Sequence, residues 1–262
     1  MDHTYWLKQD KEALFPDILW SRPETKAGAG KLLIIGGNEH AFSAPGIAFN
    51  SADAAGAGVI RVLLPDAIRK IVKHMLPDAE YAPNTPSGSF SKKALSEMIS
   101  LSAWSDMTML AGDLGRNSET AIALESFAEK YSGPLVITQD ASEFFRDLPN
   151  VIVDRPETLI VVSLSQLQKL FIHTPSIIPI TLSMSTVQLV EALHEYSLKH
   201  AATIMTLHGG LLFVAHNGFV STTRCDKDIW RVETAARASV FWMQNPDKPF
   251  ESVTTASLAH EA

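Results

Sequence analysis

The stretch Lys31–Pro65, KLLIIGGNEHAFSAPGIAFNSADAAGAGVIRVLLP, leaves the chain little choice of architecture. Leu32, Leu33, Ile34 and Ile35 form an unbroken apolar run stopped by Gly36-Gly37. That is the pattern of a strand buried on both faces. Ser43 is a candidate N-cap, and Pro45 suits a first helical turn, where its missing N–H is an orphan donor in any case. Ala44, Ala48, Ser51, Ala52 and Ala55 recur at three- and four-residue spacing, so a helix here can lie close against a sheet. Gly56 and Gly58 stop that helix, and Val59–Leu64 reads as a second buried strand. Strand, turn, helix and strand in this order make a right-handed βαβ unit, which belongs to parallel sheets covered by helices. The loop after the first strand then opens at the carboxyl edge of the sheet, where ligands of open α/β folds gather. Gly36-Gly37 is not a G-x-G-x-x-G fingerprint and reads first as a turn.

The rest of the chain continues the alternation. Strands are expected at Met107–Leu110, Pro134–Thr138, Val151–Val153, Leu159–Ser163, Ile177–Thr181 and Thr203–Leu207. Helices are expected from Ser91, Ser118, Ser165 and Ser185, the last opened by a capping box with Gln188. Leu211–Ala215 and Phe219–Thr223 pair across His216-Asn217-Gly218, because Asn-Gly is the strongest short hairpin signal. Two helices close the chain. No linker or low-complexity run divides the 262 residues, and 46% hydrophobic residues supply one large core, so residues 1–262 read as a single domain. Residues 1–30 read as a leading helix or arm whose Trp6, Leu7, Phe15 and Trp20 need a surface to cover.

Composition narrows the function. A net charge of -7 argues against nucleic acid as a partner, since no basic face is present to neutralise phosphates. The lone Cys225 allows no internal disulfide and fits a reducing compartment, so a cytoplasmic location is expected. Charges throughout the first twenty residues argue against a signal peptide or a membrane span. The nine histidines lack ligand spacing, and no metal cluster is expected. What remains is a series of turns after apolar runs: Gly36-Gly37, Ala111 to Gly115, Thr138-Gln139-Asp140, Val162 to Gln166 and His208-Gly209-Gly210. A parallel sheet would bring them to one edge as a cleft.

Taken together and in this order, these segments resemble the ADP/ATP-dependent NAD(P)H-hydrate dehydratase family, a branch of the ribokinase-like superfold. GKLLIIGGNEHAFSAPGIAFNSADAAGAGVIRVLLPD resembles the family's opening, with its G-A-P at the head of an alanine-rich helix. MLAGDLGRN resembles the G-P-G-L-G turn, PLVITQDA the D-A-D-A strand end, and TIMTLHGGLLFVAHNGFV the K-G strand and hairpin. FWMQNPDKPFESVTTASLAHEA resembles the closing helices. The resemblance implies an α/β domain of three layers, α/β/α, with a mostly parallel sheet and an antiparallel edge hairpin. It implies a reaction in which ADP or ATP, with Mg as accompanying ion, phosphorylates the hydroxyl of a hydrated nicotinamide ring and phosphate leaves to restore NADH or NADPH. Nucleotide and dinucleotide small molecules are the implied partners, and a homo-oligomer is the implied assembly.

Carried over residue by residue, the resemblance implies substrate contacts at Ala44, Asp113 and Leu164 and nucleotide contacts at His208, Gly209 and Gly210. It also shows departures. The family's G-T-G-D cradles phosphate on glycine N–H groups at a helix start and supplies an Asp as base. Here RCDKDIWRVETA, after Thr223, contains no glycine. Asp228 becomes the candidate base, with Asp226 and Glu233 as rivals. The His of T-P-H falls at Leu164, the K-G lysine at His208, and the first Asp of D-A-D-A at Thr138. Asp113 brings negative charge where an anionic dinucleotide is expected. The sequence therefore implies dehydratase activity that is weak or lost. The alternatives are a non-catalytic ribokinase-like relative that binds a nucleotide or a partner, and a small-molecule kinase.

Overall fold

A computed structural model describes residues 3–174, 178–227 and 230–258. Its frame is one ten-stranded sheet. The strands are β1 (Trp6–Gln9), β2 (Lys31–Gly36), β3 (Val59–Pro65), β4 (Glu80–Ala82), β5 (Met107–Gly112), β6 (Leu135–Thr138), β7 (Thr158–Val161), β8 (Thr203–His208), β9 (Leu211–His216) and β10 (Phe219–Arg224). They lie in the order β1-β10-β9-β8-β7-β6-β5-β2-β3-β4. From β8 to β4 every pairing is parallel, and β9 runs antiparallel to both of its neighbours.

Both faces of this sheet are covered, and β2 shows why its apolar run is unbroken. Leu33 and Ile35 point into one core with Leu124 and Phe127 of the helix Ser118–Lys130, Leu167 of Leu164–Ile172 and Leu193 of Thr186–Ser197. Leu32 and Ile34 point into the other, with Ala44, Ala48 and Ala52 of the helix Ser43–Ala54 and residues of Arg231–Gln244 and Pro249–Leu258. Alternate residues of a strand face opposite ways, so a strand with helices on both sides has no polar side to spare. The architecture is three layers, α/β/α. The small side chains of Ser43–Ala54 let that helix sit between the sheet and Arg231–Gln244.

Three expectations are corrected. The arm is not simply helical: β1 joins the sheet parallel to β10, followed by a short helix Pro16–Trp20. Gln9 is anchored there, its buried Nε2 donating to Thr223 Oγ1 at 3.0 Å and to the Thr254 carbonyl at 2.6 Å. The expected antiparallel hairpin, β9 and β10, lies at this end of the sheet with β1 alone beyond it. Trp6, Leu7 and Phe15 pack on the chain's own cores, and Trp20 is 83% exposed. Val151–Val153 lies in a helical turn, Asn150–Val153, because β6 and β8 already flank β7 and leave no slot beside it. The Val153 carbonyl accepts the Ala202 N–H just before β8. For the expected strand Ile177–Thr181, Ile177 lies outside the described residues and 178–181 are not in a strand. Pro179 has no N–H to give a ladder. Among the described residues no helix is long and apolar enough to cross a membrane.

Close approach at the carboxyl edge depends on Gly36. A Cβ there would lie 2.6 Å from the Gly112 carbonyl oxygen and 2.9 Å from Pro45 Cγ. Two strand ends and a helix head meet at this point. Gly36→Ala is expected to destabilise the fold by about 1–3 kcal/mol, as overpacking of a fixed backbone does. Urea unfolding of the two proteins measures it.

Candidate functional site

Because β2, β5, β6, β7 and β8 are parallel, their carboxyl ends fall on one edge of the sheet. Gly36, Gly112, Asp140, Leu164 and His208 all lie at those ends. The turn after β5 uses left-handed backbone at Gly112 (φ 104°), Asp113 (φ 57°) and Gly115 (φ 77°). Gln139, after β6, is also left-handed at φ 58°. Left-handed backbone is uncommon for residues with a side chain and persists where surroundings over-determine it.

Here the over-determination is a polar network. Asp140 Oδ1 accepts the Asp113 N–H at 2.7 Å and Oδ2 accepts the Leu114 N–H at 3.0 Å. Asn38 Nδ2 donates to the Asp113 carbonyl at 2.5 Å, while Asn38 Oδ1 accepts the His40 and Ala41 N–H groups at 2.8 and 3.2 Å. The Gln139 carbonyl accepts from Gln166 Nε2 at 2.8 Å, and Gln166 Oε1 accepts from Arg231 Nη1 at 2.9 Å. Burial pushes the Asp140 carboxyl above its ordinary value against the pull of its two backbone donors, and the charge of Asp113 adds to the push. Burial likewise pushes the Arg231 guanidinium down, with Asp140 opposing. Around this network opens a cleft of about 810 Å³, lined by Asn38, Asp113, Arg116, Asp140, Lys169 and Arg231 among others.

The candidate residues are distributed as follows. Ala44 and Asp113 meet: Asp113 Oδ2 accepts the Ala44 N–H at 2.7 Å and the Ser43 hydroxyl at 3.2 Å. Ser43 is therefore the first residue of its helix rather than the cap, and the N-cap position, Phe42, contributes no side-chain bond. Leu164 opens the helix Leu164–Ile172 but is buried in the core, and it is Gln166, two residues on, that lines the cleft. His208 turns away, its Nε2–H donating to the Met184 carbonyl at 2.7 Å. Gly209 and Gly210, both left-handed, line a second cleft of about 680 Å³ with Trp6, Lys8, Arg224 and Asp226. Asp228 lies outside the described residues. Its neighbours in sequence flank it on both sides: Asp226 lines the second cleft and Arg231 the first. Of its rivals, Asp226 lies 3.8 Å from Arg224 and Glu233 lies 3.3 Å from Lys227. Among the described residues no three of His, Cys, Asp or Glu gather as a metal site needs.

Two residues of the network escaped the reading of the sequence. Ser163 and Gln166 form a capping box that was legible as S-x-x-Q, its cap two residues before the expected start at Ser165. Arg231 stands in the first turn of Arg231–Gln244, where the helix dipole disfavours a cation. That misplacement was itself a signal of a nearby anion, Asp140.

No family model matches the chain. Over 125 residues it is 30% identical to the bifunctional NAD(P)H-hydrate repair enzyme Nnr of Methanothermobacter thermautotrophicus. The match takes in 46% of this chain and spans only 24% of that protein. Among solved structures, a ribokinase-like superfamily protein from Enterococcus faecalis V583 superposes with a TM-score of 0.71 at 17% identity, covering 98% of this chain and 87% of the other. The ADP/ATP-dependent NAD(P)H-hydrate dehydratase from Bacillus subtilis, co-crystallised with ATP and Mg²⁺, superposes with a TM-score of 0.61 at 13% identity, covering 89% and 79%. The fold is ribokinase-like, as the sequence implied.

Asp140 offers a direct check on the network. Asp140→Asn replaces one acceptor oxygen by an NH₂ group, leaving a buried backbone N–H unpaired, and is expected to cost about 1–3 kcal/mol of stability. A carboxyl whose native value is raised binds its proton more tightly folded than unfolded, so its contribution to stability falls as pH rises from the ordinary Asp value of 3.8 through the raised native one. The stability of the wild type relative to Asp140→Asn should therefore decline across that window. Urea unfolding of both proteins at several pH values reads this, and a difference that grows with pH contradicts it.

Proposed function

We propose that this chain is a nucleotide-binding relative of the ADP/ATP-dependent NAD(P)H-hydrate dehydratases in which dehydratase activity is weak or lost. The observation that carries the reading is the pair of clefts along one sheet edge, the second lined by Asp226 and the first by Arg231. The sequence match to a NAD(P)H-hydrate repair enzyme supports the substrate class. Phosphoryl transfer is mostly positioning and electrostatics, and it needs a donor phosphate and an accepting hydroxyl held in line. In this reading ADP or ATP occupies the cleft at Gly209 and Gly210, where Lys8 and Arg224 supply positive charge, and Mg²⁺ is carried by its phosphates. The hydrated nicotinamide ring occupies the cleft at Asp113, Asp140 and Arg231. Asp228, which follows Asp226 in the sequence, is the proposed base; Asp226 and Glu233 each already have a cationic neighbour.

The sequence around Asp228 explains why little activity is expected. It has no glycine to bring backbone N–H groups against a phosphate. Losing a single preorganised donor commonly costs about a hundred- to a thousand-fold in rate. Arg231, at the head of its helix, is the side-chain charge best placed to substitute. Asp113 favours a second reading, a non-catalytic relative with a nucleotide or partner site, because its carboxylate sits at a helix head in the substrate cleft. A small-molecule kinase would want the same anion-binding glycines. A single domain over 1–262, a cytoplasmic location and a homo-oligomer belong to the proposal as well; light scattering that shows a monomer at micromolar concentration removes the last.

Nucleotide-dependent recovery of NADH absorbance from hydrated NADH, tried with ADP and with ATP, is expected to be undetectable or at least about a hundred-fold below a relative that has the glycine motif. ATP or ADP should nonetheless raise the unfolding temperature, since a ligand at a hundred times its dissociation constant adds about 2.7 kcal/mol. A flat thermal-shift panel overturns nucleotide binding. Rapid turnover abolished by Asp228→Asn overturns the loss of activity.

A further inference from the structure

We infer that Asp113 is a specificity determinant of the first cleft: its carboxylate occupies the helix head that a ligand's phosphate would otherwise use, so this end of the cleft takes a neutral or cationic group. The inference rests on reading that cleft as a ligand site.

The helix Ser43–Ala54 begins two residues after Ala41, which lines the cleft, and its amino end, behind Asp113, has few donors to offer. Pro45, in the first turn, has no N–H, so Ser43 and Ala44 supply the free backbone donors there. Asp113 Oδ2 takes the Ala44 N–H at 2.7 Å and also the Ser43 hydroxyl at 3.2 Å. An anion is favoured at a helix amino end, and the chain has supplied its own from a different strand. The carboxylate is delivered by a backbone held at φ 57°, with the Asp113 N–H fixed by Asp140 and its carbonyl fixed by Asn38. An incoming phosphate would have to displace a side chain already oriented by its backbone, and would meet like charge while doing so. A neutral ring or an amine meets no such penalty and finds an acceptor. Anionic parts of a ligand are directed instead toward Arg231, whose guanidinium lines the same cleft beside Gln166.

The test is calorimetric titration of wild type, Asp113→Gly and Asp113→Asn with two probes: NADH, which carries a pyrophosphate, and dihydronicotinamide riboside, which has the same ring without phosphate. Glycine suits the left-handed backbone and empties the helix head; asparagine leaves an acceptor oxygen for the Ala44 N–H and removes only the charge. The expected result is that NADH binds Asp113→Gly at least about tenfold more tightly than wild type, with a smaller gain in Asp113→Asn, while the riboside changes by less than about twofold. If Asp113→Gly does not fold, a selective gain in Asp113→Asn carries the test. Equal NADH affinity in the folded variants and wild type, equal gains for both probes, or no NADH binding by any of the proteins overturns the inference. ATP titrated into the wild type separates this from the proposed function. Absent ATP binding with a selective NADH gain removes the nucleotide reading and leaves Asp113 in its role; ATP binding without that gain does the reverse.

Discussion

The carboxyl edge of this sheet is held by one buried carboxylate. Asp140 accepts the two consecutive N–H groups of Asp113 and Leu114, and so fixes a turn in which three residues have left-handed backbone. From that turn the connections run both ways. Through Asn38 they reach the loop after β2, and through Gln139 and Gln166 they reach Arg231 at the head of another helix. A buried charge is costly unless it is hydrogen-bonded and balanced, and here two backbone donors and a nearby guanidinium share that task. Members of such a network polarise and orient one another, so the walls of the cleft behave as one unit rather than as separate loops.

The fold was legible in the sequence because its strongest signal is local. Leu32 to Ile35 must be covered on both faces, and the alanines of Ser43–Ala54 state how closely the cover lies. The failures have non-local causes. Val151 to Val153 is as β-branched and apolar as a strand, yet the neighbours of β7 were already chosen by residues far away in the chain. The leading arm looked unpartnered because the partner of β1 is a strand near the other end of the sequence. Of the site, the five strand ends could be read, since each is an apolar run followed by a turn. What a side chain does at such an end could not: Leu164 enters the core, His208 bonds a carbonyl, and Asp113 caps a helix that follows a different strand. Those fates depend on contacts between segments that no spacing records.

Charge is distributed unequally along the same edge. The first cleft mixes Asp113 and Asp140 with Arg116, Lys169 and Arg231, so its character is set by pairing rather than by net charge. The second is built of Lys8, Asp10, Arg224 and Asp226 around the Gly209-Gly210 turn. Field within either cleft is thus a short-range property, and groups a few ångströms apart can experience opposite signs.

The parallel pairing of β1 with β10 has a consequence for how the molecule comes into being. Gln9 and Thr223, which bond across that pairing, are separated by 214 residues. During synthesis Gln9 is made 214 residues before Thr223, so the arm cannot dock until β10 has been made. Until it docks, β10 presents an open row of backbone donors and acceptors, which is where a nascent chain is most able to pair with the wrong strand. Docking the arm both completes the sheet and closes that period of exposure.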